Sequence, residues 1–458
     1  MSEHPPMEVA GKRVAVIGLG RSGLAALRLL LELGARVAVA DLKPESELEA
    51  TLEGLGRGCV ELHGGGKYDP ALIGVEMAVV SPGVPPSLEP LRRARASGIR
   101  MIGEVELAFR YLTGKIIAVT GTNGKSTTVS WIGDLLRSAG FDPFVGGNLG
   151  TPLTEAALAS LHGRQWEFVV AEVSSFQLET IETFRPWIGA ILNLTPDHLD
   201  RYSSMAAYAA AKARLFENQT VGDYAVLNAD DPWVAQSGVL TSGMRVLFSR
   251  QGPLEHGVFL DGDVVRSTLS GRREDLCRVS DLHLRGAHNV ENAMAVGTIA
   301  SLVGCSIESI GRGLRAFRGL EHVMEVVRVV RGVTYINDSK GTNVDATIKA
   351  LESLHTPVVL IAGGREKGGE YPGLAAAVRR GTKRVILLGE ARPHLRRLLE
   401  NVCPITETGG LTEAVREAAA AACPGDTVLF SPACASFDMF MDYKDRGRQF
   451  KEHVHELE

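Results

Sequence analysis

Gly121, Gly124, Lys125 and Ser126 are residue types, at a spacing, that could grip a phosphate ester. They lie in residues 115–128, K-I-I-A-V-T-G-T-N-G-K-S-T-T. The first half is apolar and β-branched, as in a buried parallel strand. The second half leads into V-S-W-I-G-D-L-L, which has helical period. Strand, glycine turn, Gly-Lys-Ser and helix make the plan of a phosphate-binding loop. The glycines let backbone N–H groups close on phosphate oxygens, beside Thr122, Asn123 and Thr127. Lys125 would reach the β- and γ-phosphates, and Ser126 would offer its hydroxyl to Mg²⁺. The strict pattern wants a glycine at 119, where valine stands, so the loop is a shortened variant. An ordinary glycine turn capping a helix is the alternative, and the strand before and helix after argue against it.

Other chemistry-bearing residues follow strand-like runs. F-V-V-A ends at Glu172, where a carboxylate beside a phosphate loop suits Mg²⁺ binding or water activation. I-G-A-I-L-N-L-T is followed by Pro196, Asp197 and His198. Residues 145–150, V-G-G-N-L-G, read as a polar glycine-rich loop carrying Asn148. Lys212 sits among alanines in a helix, where a solvated lysine is the ordinary reading. Asn289 and Asn292 stand three apart at a helix start, where they could read a base or a phosphate, or cap the helix. V-T-Y-I-N ends in Asp338, Ser339, Lys340, Gly341 and Thr342; P-V-V-L-I-A-G-G leads to Lys367; T-V-L-F leads to Ser436. Lys444, Arg446, Arg448 and Lys451 make a basic C-terminal helix, ordinarily a solvated face.

These residues need sheets to carry them. Strands alternate with helices throughout, which predicts an α/β protein of three domains, at 1–112, 113–318 and 319–458. The first and last read as Rossmann-like and the central one as a phosphate-loop, doubly wound sheet, with a polar antiparallel excursion at about 249–279. In the first domain a strand leads into Gly18-Leu-Gly20-Arg-Ser22-Gly23, then an amphipathic helix, then a strand ending at Asp41. Alone this is a dinucleotide fingerprint, but the same turn can hold the diphosphate of a UDP-sugar, and nothing downstream looks like a hydride-transfer site. Ser81-Pro-Gly83 follows another strand and is either ligand rim or rigid turn.

The chain of 458 residues has 45% hydrophobic and 22% charged residues, ordinary for a soluble globular protein with ample core. A formal net charge of −5 and no lysine/arginine-rich run argue against a nucleic-acid partner. The six cysteines are scattered without a C-x-x-C pair, which suits reduced thiols rather than disulfides or zinc. The start, M-S-E-H-P-P-M-E-V-A, lacks the basic and apolar regions of a signal peptide, and no apolar stretch could span a membrane, so a cytoplasmic location is expected.

Read together, T-G-T-N-G-K-S-T-T, A-E-V-S-S-F-Q-L-E, N-L-T-P-D-H-L-D-R-Y, A-A-K-A-R, G-A-H-N-V-E-N-A, N-D-S-K-G-T-N and S-P-A-C-A-S-F-D-M-F resemble the Mur ligases, collinearly over nearly the whole chain. S-P-A-C-A-S-F-D and the S-P-G of the first domain resemble the D-glutamate-adding branch. The resemblance implies an ATP-dependent amide ligase that joins D-glutamate to UDP-N-acetylmuramoyl-L-alanine through an acyl phosphate, in peptidoglycan precursor synthesis. It implies a monomer with ATP, two Mg²⁺ ions and a carbamylated Lys212. Gly18, Gly20 and Ser22 would lie near the UDP-sugar diphosphate, Asp41 near uracil, and Ser81 and Gly83 on the same rim. Asn148 and His198 would meet the muramoyl–alanine part, and Ser174 and Gln177 would also bind substrate. Lys125, Glu172, His198 and Lys212 would be catalytic, with Ser126, Glu172, His198 and Lys212 as metal ligands. Asn289, Asn292 and Asp338 would contact the nucleotide, and Lys340, Thr342, Lys367, Ser436 and Tyr443 would receive D-glutamate. One departure is Val323, where the family usually carries arginine; Arg328 or Arg331 could stand in. A sibling ligase for another amino acid, or a catalytically weak UDP-sugar-binding homologue, are the alternatives.

Overall fold

The computed structural model describes residues 6–52, 60–148, 150–198, 201–237, 241–354, 356–366, 371 and 373–458. Lys367 lies outside them. Three sheets follow one another along the chain. The first has five parallel strands, in spatial order third, second, first, fourth, fifth. Its central strand, Arg13–Ile17, is apolar and nearly fully buried, and it feeds the helix Arg21–Glu32 through the glycine turn.

The second sheet has nine strands. Lys115–Thr120 lies at its middle, between Phe168–Glu172 and Ile188–Ile191, parallel to both. All three bury alternate residues on both faces, which is why they read as continuous apolar runs. Val119 is a strand residue with no exposure, paired with Glu172. The strand therefore runs one residue past the place where a longer loop would begin, which accounts for the absent glycine. The excursion at 249–279 is antiparallel only in its outer part and continues the same sheet: Gly257–Asp261 pairs parallel with Met244–Ser249, and two further strands follow outward, each antiparallel to its neighbour.

The third sheet has six strands, with Glu325–Val330 as an antiparallel edge on otherwise parallel neighbours. Its helix Tyr443–His455 packs on that edge and on Val333–Asn337.

The core of the first sheet runs without a break into the central one. The helix Glu104–Phe109 bridges them, with Val105, Leu107 and Phe109 packed among Leu27, Leu153 and Phe184. On the other face Trp131 and Ile132 pack against the helix Ala287–Val303. This burial fixes the central strands and so fixes where their ends point. No helix among the described residues is long and apolar enough to cross a membrane.

Two sequence-based expectations are corrected. Val145–Gly147 is the end of an edge strand, Pro143–Gly147, and not a loop. A Cβ on Gly147 would lie 2.4 Å from the Glu172 carbonyl, so this close strand pairing selects glycine there. The C-terminal helix is not simply a solvated basic face. Arg446 is 1% exposed, and Lys451 pairs with Glu321 and Glu325.

Candidate active site

The ends of the three middle strands of the central sheet open onto one cleft, faced by the loops of the third sheet. Gly124 takes φ +84° and starts the helix Lys125–Ser138, so the free N–H groups of its first turn point into the cleft. Lys125 lies along the loop and donates to the carbonyls of Gly121 (2.9 Å) and Thr122 (2.8 Å).

Glu172 is 3% exposed. Its carboxylate accepts from the Ser126 hydroxyl at 2.5 Å and from Asn148 Nδ2 at 2.8 Å. Lys340, from the third sheet, donates to that same hydroxyl. Burial opposes ionisation of Glu172, but the charges of Lys340 and Lys125 with these two hydrogen bonds outweigh it and hold the carboxyl below its usual range. Burial pushes Lys340 down to about 8 against the pull of Glu172, so both stay charged at neutral pH.

Lys212 is 2% exposed, and its Nζ lies 2.9 Å from the Gly121 carbonyl. Burial first, and then the charge of Lys125, drives its pKa far below a lysine's ordinary value. The solvated reading therefore fails: the amine is held inside, next to the phosphate loop, in a place that favours its neutral form. His198 adopts φ +55°, with its ring 4.7 Å from that of Phe176, and it lines the cleft with Asp197.

On the far wall, Asn292 donates to Asn289 (3.2 Å), and Asn289 donates to the Arg285 carbonyl (2.8 Å). Gly286, not an asparagine, caps that helix. Asp338 is buried, accepts from Ser431 (2.7 Å) and the Met324 N–H (3.2 Å), and is pushed up to about 7 by burial. Tyr443 and Thr342 also line the cleft. Burial, helped by the negative charge of Glu172, pushes the Tyr443 phenol up to about 12.

The structure thus brings Thr122 to Thr127, Asn148, Glu172, His198, Asn289, Asn292, Asp338, Lys340, Thr342 and Tyr443 around one cleft of about 270 Å³. Ser436 is buried at 2% exposure and does not line it. Ser174 and Gln177 form a capping box at the helix Ser175–Leu178, which accounts for both side chains structurally. The first-domain residues form a separate rim. Gly18 has φ +87° and accepts from Ser81 Oγ at 2.6 Å, and Asp41 accepts from the Leu19 N–H at 2.5 Å. Gly20 and Gly83 belong to the same turns, and Ser22 to the first turn of the helix Arg21–Glu32. Arg21 joins this rim to the cleft by donating to the Asn148 carbonyl at 3.3 Å. A larger cavity of about 670 Å³, lined by Lys115, Arg185 and Trp187, lies at the opposite ends of the central strands, away from all these groups.

Val323 lines the cleft, and neither proposed stand-in does. Arg328 donates to the carbonyls of His455 and Leu457, and Arg331 is exposed at a turn. Sequence reasoning missed Asn343, Asp345, Lys349 and His288. Asp345 accepts from Asn123 Nδ2, Thr195 Oγ1 (2.9 Å) and Lys349 (2.9 Å), and Asn343 donates to Asp197 at 3.1 Å. Only the T-N following Lys340 hinted at them, because their partners are distant in sequence.

A phosphate loop on one sheet, an acid at the neighbouring strand end and cations brought by a second sheet define a nucleotide-dependent group-transfer site. Family models match in the same order as the sheets: "Mur ligase MurD-like, N-terminal domain" over residues 12–103, "Mur ligase middle domain" over 119–300 and "Mur ligase, glutamate ligase domain" over 324–434. The UDP-N-acetylmuramoylalanine–D-glutamate ligase of Pelotomaculum thermopropionicum is 47% identical over 97% of both chains, and that of Geotalea uraniireducens is 43% identical over 99% of both. Among solved structures, a UDP-N-acetylmuramate-alanine ligase from Thermotoga maritima has TM-score 0.61 at 20% identity, over 97% of this chain and 99% of its own. A MurF ligase from the same organism, in complex with ADP, has TM-score 0.60 at 15% identity over the whole of both chains. The structural likenesses speak to fold alone. The chain belongs to the Mur ligase family, whose members are ATP-dependent ligases.

Proposed function

We propose that the chain joins D-glutamate to the L-alanyl carboxylate of UDP-N-acetylmuramoyl-L-alanine at the expense of ATP, a step of peptidoglycan precursor synthesis. The observation that carries the reading is the Ser126–Glu172–Lys340 cluster, where the phosphate loop meets a cation from the third sheet. The names of the similar ligases supply the substrates.

In this reading the three sheets mark three domains, at 1–112, 113–318 and 319–458. The first domain's rim, at Gly18, Gly20, Ser22, Asp41, Ser81 and Gly83, holds the UDP part. Arg21, bonded to the Asn148 carbonyl, leads the sugar toward the cleft. Lys125 and the loop N–H groups hold the ATP phosphates, and Asn289, Asn292 and Asp338 hold the rest of the nucleotide. The alanyl carboxylate oxygen attacks the γ-phosphorus, the bond to the bridging oxygen breaks, and an acyl phosphate forms while ADP stays bound. Lys125 stabilises the charge spreading onto the departing oxygens. The D-glutamate amine then attacks the acyl phosphate carbon. Its proton is lost, the amide forms and phosphate departs. Lys340, Thr342 and Tyr443, with Lys367, receive the two carboxylates of the amino acid, and Ser436 is a buried support in the loop beside them. Loops of the third sheet close over the intermediate and keep water from it.

The donor chemistry fits Mg²⁺. Ser126 and Glu172 present hard oxygen ligands 2.5 Å apart. A buried, neutral Lys212 amine is the form that adds CO₂, and the resulting carbamate with His198 would supply a second oxygen-and-nitrogen set. Bound there, the ions would neutralise phosphate charge.

The test is product formation from ATP and UDP-N-acetylmuramoyl-L-alanine with D-glutamate, L-glutamate or L-lysine in parallel, followed by mass spectrometry. A new amide with D-glutamate alone is expected. An amide formed with L-lysine and not D-glutamate would move the chain to a sibling activity.

A further inference from the structure

Arg446, on the C-terminal helix, has a role that neither the phosphate loop nor the nucleotide explains. Its guanidinium is 1% exposed and bonds two strand-end loops at once. Toward the loop after Val333–Asn337, Nε donates to Ser339 Oγ (3.0 Å) and Nη2 to the Ser339 carbonyl (2.7 Å). Toward the loop after Thr427–Phe430, Nη1 donates to the carbonyls of Cys434 and Ala435, both at 3.2 Å. Ser339 Oγ in turn donates to the Tyr443 carbonyl (2.8 Å), closing the first loop onto the helix that carries Arg446.

A third loop joins them. Arg365 and Ala435 exchange backbone hydrogen bonds at 2.9 and 3.0 Å. Gly364, at φ +142°, lets this happen: a Cβ there would lie 2.2 Å from the Ala435 carbonyl and 3.1 Å from Arg446 Nη1. The loops clasped in this way carry Lys340 on one side and Ser436 on the other. All four acceptors are uncharged, and no ion pair of Arg446 occurs among the described residues. Burial lowers its pKa only to about 10, so it stays a cation at neutral pH. A planar fork of donors can reach two loops in one fixed geometry; a lysine ammonium cannot.

We propose that Arg446 is a positioning residue for the amino-acid-receiving rim: it sets the spacing between the Lys340 loop and the Ser436 loop. This rests on the function proposed above. Arg446 touches no substrate and acts through Ser339, Cys434 and Ala435.

The test uses the full-length enzyme with Arg446→Lys and Arg446→Ala, reading phosphate release at varied concentrations of each substrate. The KM for D-glutamate is expected to rise roughly tenfold or more, while those for ATP and the UDP-sugar stay within about twofold. Millimolar guanidinium ion, far below denaturing levels, is expected to restore part of the Arg446→Ala activity and to leave the wild type unchanged. An equal rise in all three KM values, an unchanged KM for D-glutamate in Arg446→Lys, or failure of both variants to fold overturns the proposal. The wild type runs beside them. If it releases no phosphate with D-glutamate, the substrate reading fails by itself. Amide hydrogen exchange over 338–342 and 431–436 then still decides the clasp, being faster in Arg446→Lys if it exists and unchanged if it does not.

Discussion

Gly124→Ala perturbs the phosphate loop at one atom, and its cost can be worked out. Gly124 has φ +84°, where an L-residue pays about 1–2 kcal/mol in strain. The added Cβ would stand 2.4 Å from Asn292 Oδ1 and 3.2 Å from Asn292 Cγ and Nδ2. Ordinary contact begins at 3.4 Å, so the Asn292 amide must move by about 1 Å, the difference between 3.4 and 2.4. Asn292 is 3% exposed, and moving it breaks its 3.2 Å bond to Asn289, which costs about 0.5–1.5 kcal/mol. Together the two costs come to about 1.5–3.5 kcal/mol, or roughly 10- to 400-fold if they fall on nucleotide binding. The assay is calorimetric titration with ADP. The strain belongs to Gly124 alone, but the displacement needs Asn292. In an Asn292→Ala background, Gly124→Ala should therefore lose only the strain, and the double-mutant cycle should show coupling of about 1 kcal/mol. Wild-type ADP affinity in Gly124→Ala, or strict additivity with Asn292→Ala, would refute the placement of Asn292 against the loop.

Two further perturbations follow from buried titratable groups. Lys212→Met keeps the apolar stem and removes the amine; the turnover rate should fall by about a hundredfold or more, and high bicarbonate should not restore it. Full activity in that variant would end the role given to Lys212. Glu104 bridges the first and central sheets: its Oε1 accepts from Thr154 N (2.6 Å) and Oγ1 (2.9 Å), while Oε2 has no partner among the described residues. Burial pushes its carboxyl up from 4.5 to about 7, so the folded state holds the proton more tightly than the unfolded chain. Its contribution to stability is therefore greatest below pH 4.5 and is lost as pH rises through about 7, at a cost of about 3 kcal/mol. Glu104→Gln does not ionise, so by urea denaturation it should gain on the wild type between pH 5 and pH 8. A wild type that gains on the variant over that range would contradict the assignment.

Much of the fold was legible because parallel strands buried on both faces leave continuous apolar runs, as at Lys115–Thr120 and Val358–Gly363. Strand Pro143–Gly147 was not legible, since its two glycines, Gly147 packed on Glu172 and Gly146 on Thr151, look like a turn. Glu172 and Lys125 could be found from position alone, each following a strand. Lys212 could not: a lysine among alanines looks solvated until the chain is folded and Thr120 and Gly121 are beside it. Arg446 looks solvated for the same reason, because three of its four acceptors are carbonyls, which carry no sequence signal. Ser174 and Gln177 carry a second signal, a capping box that fixes the start of a short helix.

The central claim is that the γ-phosphate of ATP goes to a carboxylate and not to water. The direct measurement uses UDP-N-acetylmuramoyl-L-alanine with ¹⁸O in the alanyl carboxylate, ATP and D-glutamate, followed by mass analysis of the released phosphate. Transfer through an acyl phosphate predicts phosphate that carries one ¹⁸O from the substrate. Unlabelled phosphate, released at the same rate as amide is formed, would contradict it.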